Sequence, residues 1–296
     1  MYSSYFYGAG ATPENILADA VAILTGETTV DNLSASCNKV DTTIDASIAV
    51  AGWTLFDSSA GTNAVCLRAP VADSASQYKY LLLSTNTSRY IIAAPYKTWD
   101  PDTHTGTDMA YYGATVSYAQ RTNTTSGGRL DIYSKGGIYW AFSLQNGVFG
   151  SSTGSGPSGL LERSRKSPWD TVENGYPPFM FFSNYSSAYE PRSLNASGTD
   201  ITGSATSLEI INAFGAGNLA TSSVPGNASK TLKHQLVAFG VCKAANGHQG
   251  GDISSICDIW LTTHGNGSSF DTLTVDGKTY VIWAVGTAQR FAVRKG

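Results

Sequence analysis

Charge is scarce in this chain. Only 14% of its 296 residues are Asp, Glu, Lys or Arg, against roughly 25% in an average globular domain. Ser, Thr, Gly, Asn and Ala take the surface positions that charge leaves. The net charge is −3, and the longest basic cluster, "ERSRKS" from Glu162, is short and interleaved with serine. That excludes the basic footprint of a nucleic-acid binder. Long apolar runs are missing too: "ILADAVAIL", Ile16 to Leu24, is too short to cross a bilayer and contains Asp19. Neither membrane insertion nor an export signal is therefore expected, since the first residues lack a basic patch. The four cysteines, Cys37, Cys66, Cys242 and Cys257, form no C-x-x-C pair, which rules out a zinc ribbon or a thioredoxin motif. Cys242 and Cys257 lie on two β-like segments, and on sequence alone both a disulfide and a pair of reduced, buried thiols stay open.

Apolar residues, by contrast, are plentiful at 42% of the chain, enough to fill a sizeable core. Near the N-terminus "TPENILADAVAILTG" has the punctuation of a helix: Thr12 as N-cap, Pro13 at the first helical position, Glu14 in the first turn and Gly26 past the end. Its stripe is Ile16, Leu17, Ala20, Val21 and Leu24. A second helical period, Leu33, Cys37, Val40, Ile44 and Ile48, runs to Gly52. Residues 1–51 thus read as an aromatic arm followed by a short helical hairpin.

From Trp53 onward the runs are rich in β-branched and aromatic residues, for example "AVCLRAP", "YKYLLLS", "RYIIAAPYKTW" and "QLVAFGVCK", and turn signals separate them. Asp276-Gly277 marks a two-residue hairpin of the type I′ kind, and Gly136-Gly137 marks a similar one. Helix-length periods do not intervene, so the strands must pair antiparallel. The expected class is mainly β, an antiparallel β-sandwich architecture with the helical hairpin in front. Dividing the β region at the Gly/Ser tract near residue 150 makes two sandwich-sized parts, 52–150 and 151–296.

That tract, "GSSTGSGPSG" from Gly150 to Gly159, holds both a G-x-S-x-G and a G-x-G-x-x-G. A nucleophile elbow needs a strand before it and a helix after it, and a dinucleotide fingerprint needs a βαβ unit. Pro157 and Pro168 interrupt the sequence where a helix is required, so the tract reads as a loop. His104, His234, His248 and His264 are dispersed near turn residues and read as surface polar groups. Asp100, Asp102 and Asp108 in "WDPDTHTGTD" lack the order of an EF-hand loop. Seven Asn-x-Ser/Thr triplets, Asn86 and Asn184 among them, are what chance supplies in a chain of this composition. No catalytic residue, metal site or cofactor is assigned.

One set of residues goes further. "GWTLFDSSAGTNAVCLRAP" from Gly52, then "YKYLLLSTN", "RYIIAAPYKTWD" and "THTGTDMAYYG", resembles a type of bacteriophage virion protein encoded among tail and neck genes, with a "GWT…D…LRAP" opening and a "W…HTGT" loop. The resemblance covers roughly the N-terminal half and implies a structural, non-enzymatic role in a tail, neck or baseplate, hence localisation in the virion and other virion proteins as partners. Sixteen Tyr, eleven Phe and six Trp exceed what one core requires, which points to interfaces and to a homo-oligomeric ring. The candidate contact residues are Tyr2, Tyr5, Phe6 and Tyr7 of the arm, which dock on this subunit's own sheet or on a neighbour's, the neighbour being favoured, with Trp99, Trp169, Tyr176 and Phe179. Two other classes stay in play: a host-receptor or glycan-binding tail protein, stacking sugars on Trp99, Tyr111, Tyr112, Trp169 and Tyr176 in a shallow open groove, and a cell-envelope hydrolase with two convergent carboxylates or a His-centred triad.

Overall fold

The computed structural model describes residues 2–7, 12–26, 37–43, 52–71, 74–86, 89–107, 118–120, 128–145, 158–162, 179–185, 188–192, 208–212, 215–216, 236–243, 248–262, 270–285 and 289–295. In chain order the first elements are β1 (Tyr2–Tyr7), α1 (Pro13–Leu24), β2 (Cys37–Thr43), β3 (Thr54–Gly61), β4 (Ala64–Val71), β5 (Ser74–Asn86), β6 (Arg89–Tyr96), β7 (Thr98–Asp100) and β8 (Thr105–Thr107). Next come β9 (Tyr118–Gln120), β10 (Gly128–Tyr133), β11 (Tyr139–Gln145), β12 (Ser158–Glu162), β13 (Phe179–Tyr185), β14 (Ala188–Arg192), β15 (Leu208–Asn212) and β16 (Gly215–Ala216). The last are β17 (Leu236–Val237), β18 (Phe239–Lys243), β19 (His248–Asp252), α2 (Ser254–Cys257), β20 (Ile259–Thr262), β21 (Thr272–Val275), β22 (Lys278–Val285) and β23 (Gln289–Arg294).

Every strand pair is antiparallel, so the mainly-β class expected from the sequence holds. Three sheets carry the architecture. The order β14-β13-β12-β11-β10-β1-β2 makes a seven-stranded central sheet, β3-β4-β5-β6-β9 lies on one side of it, and β17-β20-β23-β22-β21 lies on the other. Strand alternation explains the layering. Leu130, Ile132, Tyr139 and Leu160 of the central sheet share a core with Leu67, Leu81, Leu83 and Ala93 of the β3–β9 sheet and with Ile16, Leu17 and Leu24 of α1. The opposite face sends Tyr2, Tyr133 and Leu161 into a second core with Ile259, Trp283, Phe291 and Val293. A sheet with apolar residues on both faces needs a cover on each, and two covers make a three-layer β-sandwich.

Helix α1 forms as its signals require. The Thr12 hydroxyl accepts the Asn15 N–H at 3.2 Å, Pro13 stands in the first turn, and Gly26 follows at φ +90. Both expected turns are present as well: Asp276 and Gly277 have φ +50 and +73, and Gly136 and Gly137 have φ +55 and +84, the signs a type I′ turn demands.

Four expectations are corrected. The second helix is absent over Cys37–Thr43, which is an edge strand beside β1; its Asn, Asp and Thr residues are poor helix formers, and the open edge of β1 offers ladder partners instead. The rest of that period lies outside the described residues. The aromatic arm is β1 itself, inserted between β10 and β2. The division at residue 150 runs through the central sheet, where Tyr139 of β11 pairs with Leu160 of β12, so residues 1–51, 52–150 and 151–296 all contribute strands to that sheet. Ser158 and Gly159, the end of the Gly/Ser tract, belong to β12; Gly150 to Pro157 lie outside the described residues.

The first two layers are joined by a buried ion pair. Lys79 of β5 and Glu162 of β12 meet with side chains 0% and 2% exposed, and the Lys79 ammonium also donates to the Pro70 carbonyl at 3.1 Å. Burial pulls the amine down to about 7 from its ordinary 10.5. Around the pair the 136–137 turn presses on the β3–β9 sheet. A Cβ on Gly137 would stand 2.5 Å from the Ala69 Cβ and 3.1 Å from Lys79 Nζ. A Cβ on Gly52 would stand 2.5 Å from the Gly137 nitrogen, and the Trp53 indole donates to the Ile138 carbonyl at 3.1 Å.

Two outcomes follow from this join. Gly137→Ala adds both overpacking and a left-handed strain and is expected to cost about 2–4 kcal/mol. Gly136→Asn, at a position open around its Cβ, is expected to cost about 1 kcal/mol or less; urea unfolding of the two variants checks the contrast. Lys79→Met removes the ammonium that faces the buried Glu162 carboxylate and is expected to cost about 3–5 kcal/mol, and adding Glu162→Leu is expected to restore most of it. A double-mutant cycle that finds the two substitutions additive excludes the pairing.

Candidate functional site

The outer face of the β3–β9 sheet, turned away from the central sheet, carries an unusual row. Register pairs Thr54 with Arg68, Arg68 with Tyr80, and Tyr80 with Tyr96, so these side chains share one face. Phe56, thrown out of register by a bulge between Leu55 and Asp57, packs on Tyr80 with ring centres 5.4 Å apart. The Arg68 guanidinium lies 4.5 Å from the Phe56 ring centre and 4.6 Å from that of Tyr78. Tyr96 meets Trp99 edge-on at 5.3 Å. The result is a band of aromatic rings crossing three strands with one arginine between two of them. Tyr78 is 40% exposed, and Phe56, Arg68, Tyr80 and Tyr96 are half-buried.

At the Trp99 end the band meets a polar cluster. The hairpin of β7 and β8 folds there, and Asp57 fastens it: its Oδ2 accepts from the Trp99 indole at 2.9 Å and sits 2.8 Å from His104 Nδ1, while its Oδ1 accepts the Ser59 N–H at 2.9 Å. Burial acts to raise the Asp57 carboxyl, but the bonds from His104, Trp99 and Ser59, with the His104 charge, outweigh it and hold the pKa at about 2, below the ordinary 3.8. His104 takes a left-handed backbone, φ +54, and Gly106 lies so close to the Tyr96 ring that a Cβ would stand 2.3 Å from it. Asp100 closes the hairpin turn by accepting the Asp102 N–H at 2.9 Å. Beneath, Cys66 is fully buried, and burial with the nearby Asp57 charge pushes its thiol up to about 12.

Chemically, a carboxylate that orients an imidazole through Nδ1 leaves Nε2 as the ring's remaining polar atom, the first two members of a triad. Among the described residues, no hydroxyl or thiol is bonded to His104 as a third member, and no group of three or more His, Cys, Asp or Glu stands where it would hold a metal ion. The cluster is a latch that ties hairpin to sheet.

The contact residues expected from the sequence fall in different places. Tyr2 is buried at 1% exposure with its hydroxyl on Asp131, so it docks within its own chain and not on a neighbour: β10 supplies a ladder and the second core a place for the ring. Tyr5, Phe6 and Tyr7 continue β1 opposite Leu130, Arg129 and Gly128. Trp99 is buried at 7% exposure in the latch and offers no open face. Phe179 opens β13 opposite Glu162. Trp169, Tyr176, Tyr111 and Tyr112 lie outside the described residues, as do Asp108, His234 and His264. His104 is more than a surface polar group, for Asp57 holds it. Cys257, at the end of α2, is a buried free thiol whose Sγ donates to the Glu162 carbonyl at 3.3 Å, so it forms no disulfide with Cys242.

Sequence reasoning missed the Asp57, Trp99 and His104 cluster and the Arg68 stack. A signal existed: all four residues belong to the "GWT…D…LRAP" and "W…HTGT" patterns.

The latch has a defined pH dependence. A carboxyl with a depressed folded pKa adds stability that is present above its unfolded value near 3.8 and is lost as pH falls through about 2. In Asp57→Asn that acid-side loss is expected to shrink and stability at pH 7 to fall by about 1–3 kcal/mol; urea unfolding at pH 7 and pH 3 checks both. No protein-family model, curated protein or solved structure matches this chain.

Proposed function

We propose that the chain is a structural component of a bacteriophage virion, stationed in the tail, neck or baseplate, that acts by symmetric self-association and attachment to neighbouring virion proteins. The residues that carry the resemblance to such proteins are spent on building the sandwich. Gly52 and Trp53 seat the 136–137 turn, Leu67 and Ala69 fill the first core, and Asp57, Trp99 and His104 close the latch. Residues whose polar atoms satisfy one another suit a scaffold better than a catalyst.

The observation that carries self-association is the β3 edge. Among the described strands β3 pairs only with β4. Its sequence, TLFDSSAG, has neither Lys nor Pro to blunt the edge. Leu55 on it is 49% exposed and borders a groove of about 700 Å³ between α1 and β3–β4, lined by Leu17, Val21, Trp53 and Val65. An open ladder beside an apolar groove is complementary to a strand of another subunit. A second reading, a glycan-binding tail protein, is favoured by the band through Phe56, Arg68, Tyr78 and Tyr80, a shallow aromatic surface open to solvent.

Light scattering of the purified chain is expected to give one defined oligomer, and cryo-electron microscopy of the particle density repeated about its axis. Leu55→Lys, at an exposed position that spares the cores, is expected to lower the mass to that of a monomer. A wild-type monomer absent from any particle rules out the structural reading.

A further inference from the structure

We propose that the outer face of the β3–β9 sheet binds a saccharide bearing a carboxylate, with Arg68 receiving the acid and Tyr78 and Phe56 receiving the sugar ring. The inference rests on the glycan-binding reading and adds to it the charge of the ligand.

Three observations lead there. First, the Arg68 guanidinium is held between two rings, 4.5 Å and 4.6 Å from their centres. Stacking engages the faces of the guanidinium and leaves its in-plane N–H groups free, which fixes the fork in one orientation before any ligand arrives. Second, Arg68 has no acid partner among the described residues, and its Nε is buried without a hydrogen bond. The nearest latch carboxylate, Asp57, is already committed to Trp99, His104 and Ser59. The two terminal nitrogens of the guanidinium are neither buried nor hydrogen-bonded among the described residues, and a planar carboxylate matches that pair with two parallel bonds. Third, the arginine sits inside a partly exposed aromatic surface, with Tyr78 40% exposed and Tyr80 packed at a tilt against Phe56, ring centres 5.4 Å apart. Aromatic faces accept the C–H faces of a pyranose, and the phenol hydroxyls suit its hydroxyls. An acidic protein segment supplies the carboxylate but lacks the flat, hydroxyl-fringed ring, so the combination selects an acidic sugar.

The test uses the full chain and titrates it with short oligomers of galacturonate and of sialic acid, beside a neutral galactose oligomer of equal length, by calorimetry at low and moderate salt. The acidic oligomers are expected to bind, more weakly as salt rises. Arg68→Ala is expected to weaken them by about tenfold or more while leaving neutral binding unchanged. Arg68→Lys keeps the charge but loses the fork and is expected to recover only part. Tyr78→Ala is expected to weaken acidic and neutral oligomers alike. Thermal melting checks that each variant is folded, and the Arg68 Nε–H resonance of the unaltered chain, expected to shift on adding galacturonate, reports the contact without any substitution. Acidic and neutral oligomers binding equally, or Arg68→Ala binding like the wild type, overturns the proposal and leaves the glycan reading standing. No binding by either kind removes both.

Discussion

Lys79 and Glu162 are brought together across two layers, and the positions of the surrounding groups depend on that meeting. An ammonium and a carboxylate taken wholly out of water each lose several kcal/mol of hydration, repaid only if the partner is held in place. Holding them in place constrains the backbone. The turn at 136–137 must be all glycine on its sheet-facing side, because a side chain at Gly137 would occupy the space the Lys79 amine needs. Gly52 must yield its Cβ to the same turn, and Trp53 must reach over it to Ile138. Hydrophobic burial holds the layers together, while the ion pair and its glycines determine which residue faces which.

The two faces of the β3–β9 sheet divide the work. The inner face carries Leu67, Leu81 and Leu83 with Lys79, and is closed by the central sheet and α1. The outer face has no layer over it among the described residues, so it closes itself with local devices. A hairpin pinned by Asp57 covers Cys66 at one end, and rings stacked about Arg68 cover the middle. Such stacking shields apolar area yet leaves polar edges toward solvent. The same construction therefore stabilises the strand and leaves a partly exposed aromatic surface. The groove beside Leu55 lies elsewhere, between α1 and the β3 edge, so the proposed self-association and the proposed saccharide binding fall on separate parts of one layer.

Local interactions were legible in the residues. Thr12, Pro13 and Gly26 delimit α1 because caps and breakers act within a few positions. Asp276-Gly277 and Gly136-Gly137 announce their turns because positive φ is costly for most other residues. The alternation of apolar residues declares strands, and the absence of intervening helices makes them antiparallel. The period through Cys37 and Val40 misled because a step of three or four apolar positions also occurs in a strand with polar gaps, and pairing with β1 outweighed a weak helical preference.

Partner choice was not legible. Alternation says that a strand has an inner face, yet any such strand satisfies the rule, so the pairing of Tyr2 with Tyr133 or Tyr139 with Leu160 depends on closure of the whole sheet. For the same reason a polar Gly/Ser tract looked like a boundary although the central sheet passes across it. The latch and the Arg68 stack unite residues from different strands, 42 positions apart for Asp57 and Trp99 and 47 for Asp57 and His104. The sequence by itself determined the class of the fold, helix α1 and the tight turns, all of which rest on short-range sterics and hydrogen bonding. Only the tertiary structure decided the three layers, the buried ion pair and the aromatic band, because each depends on long-range contacts that chain closure selects.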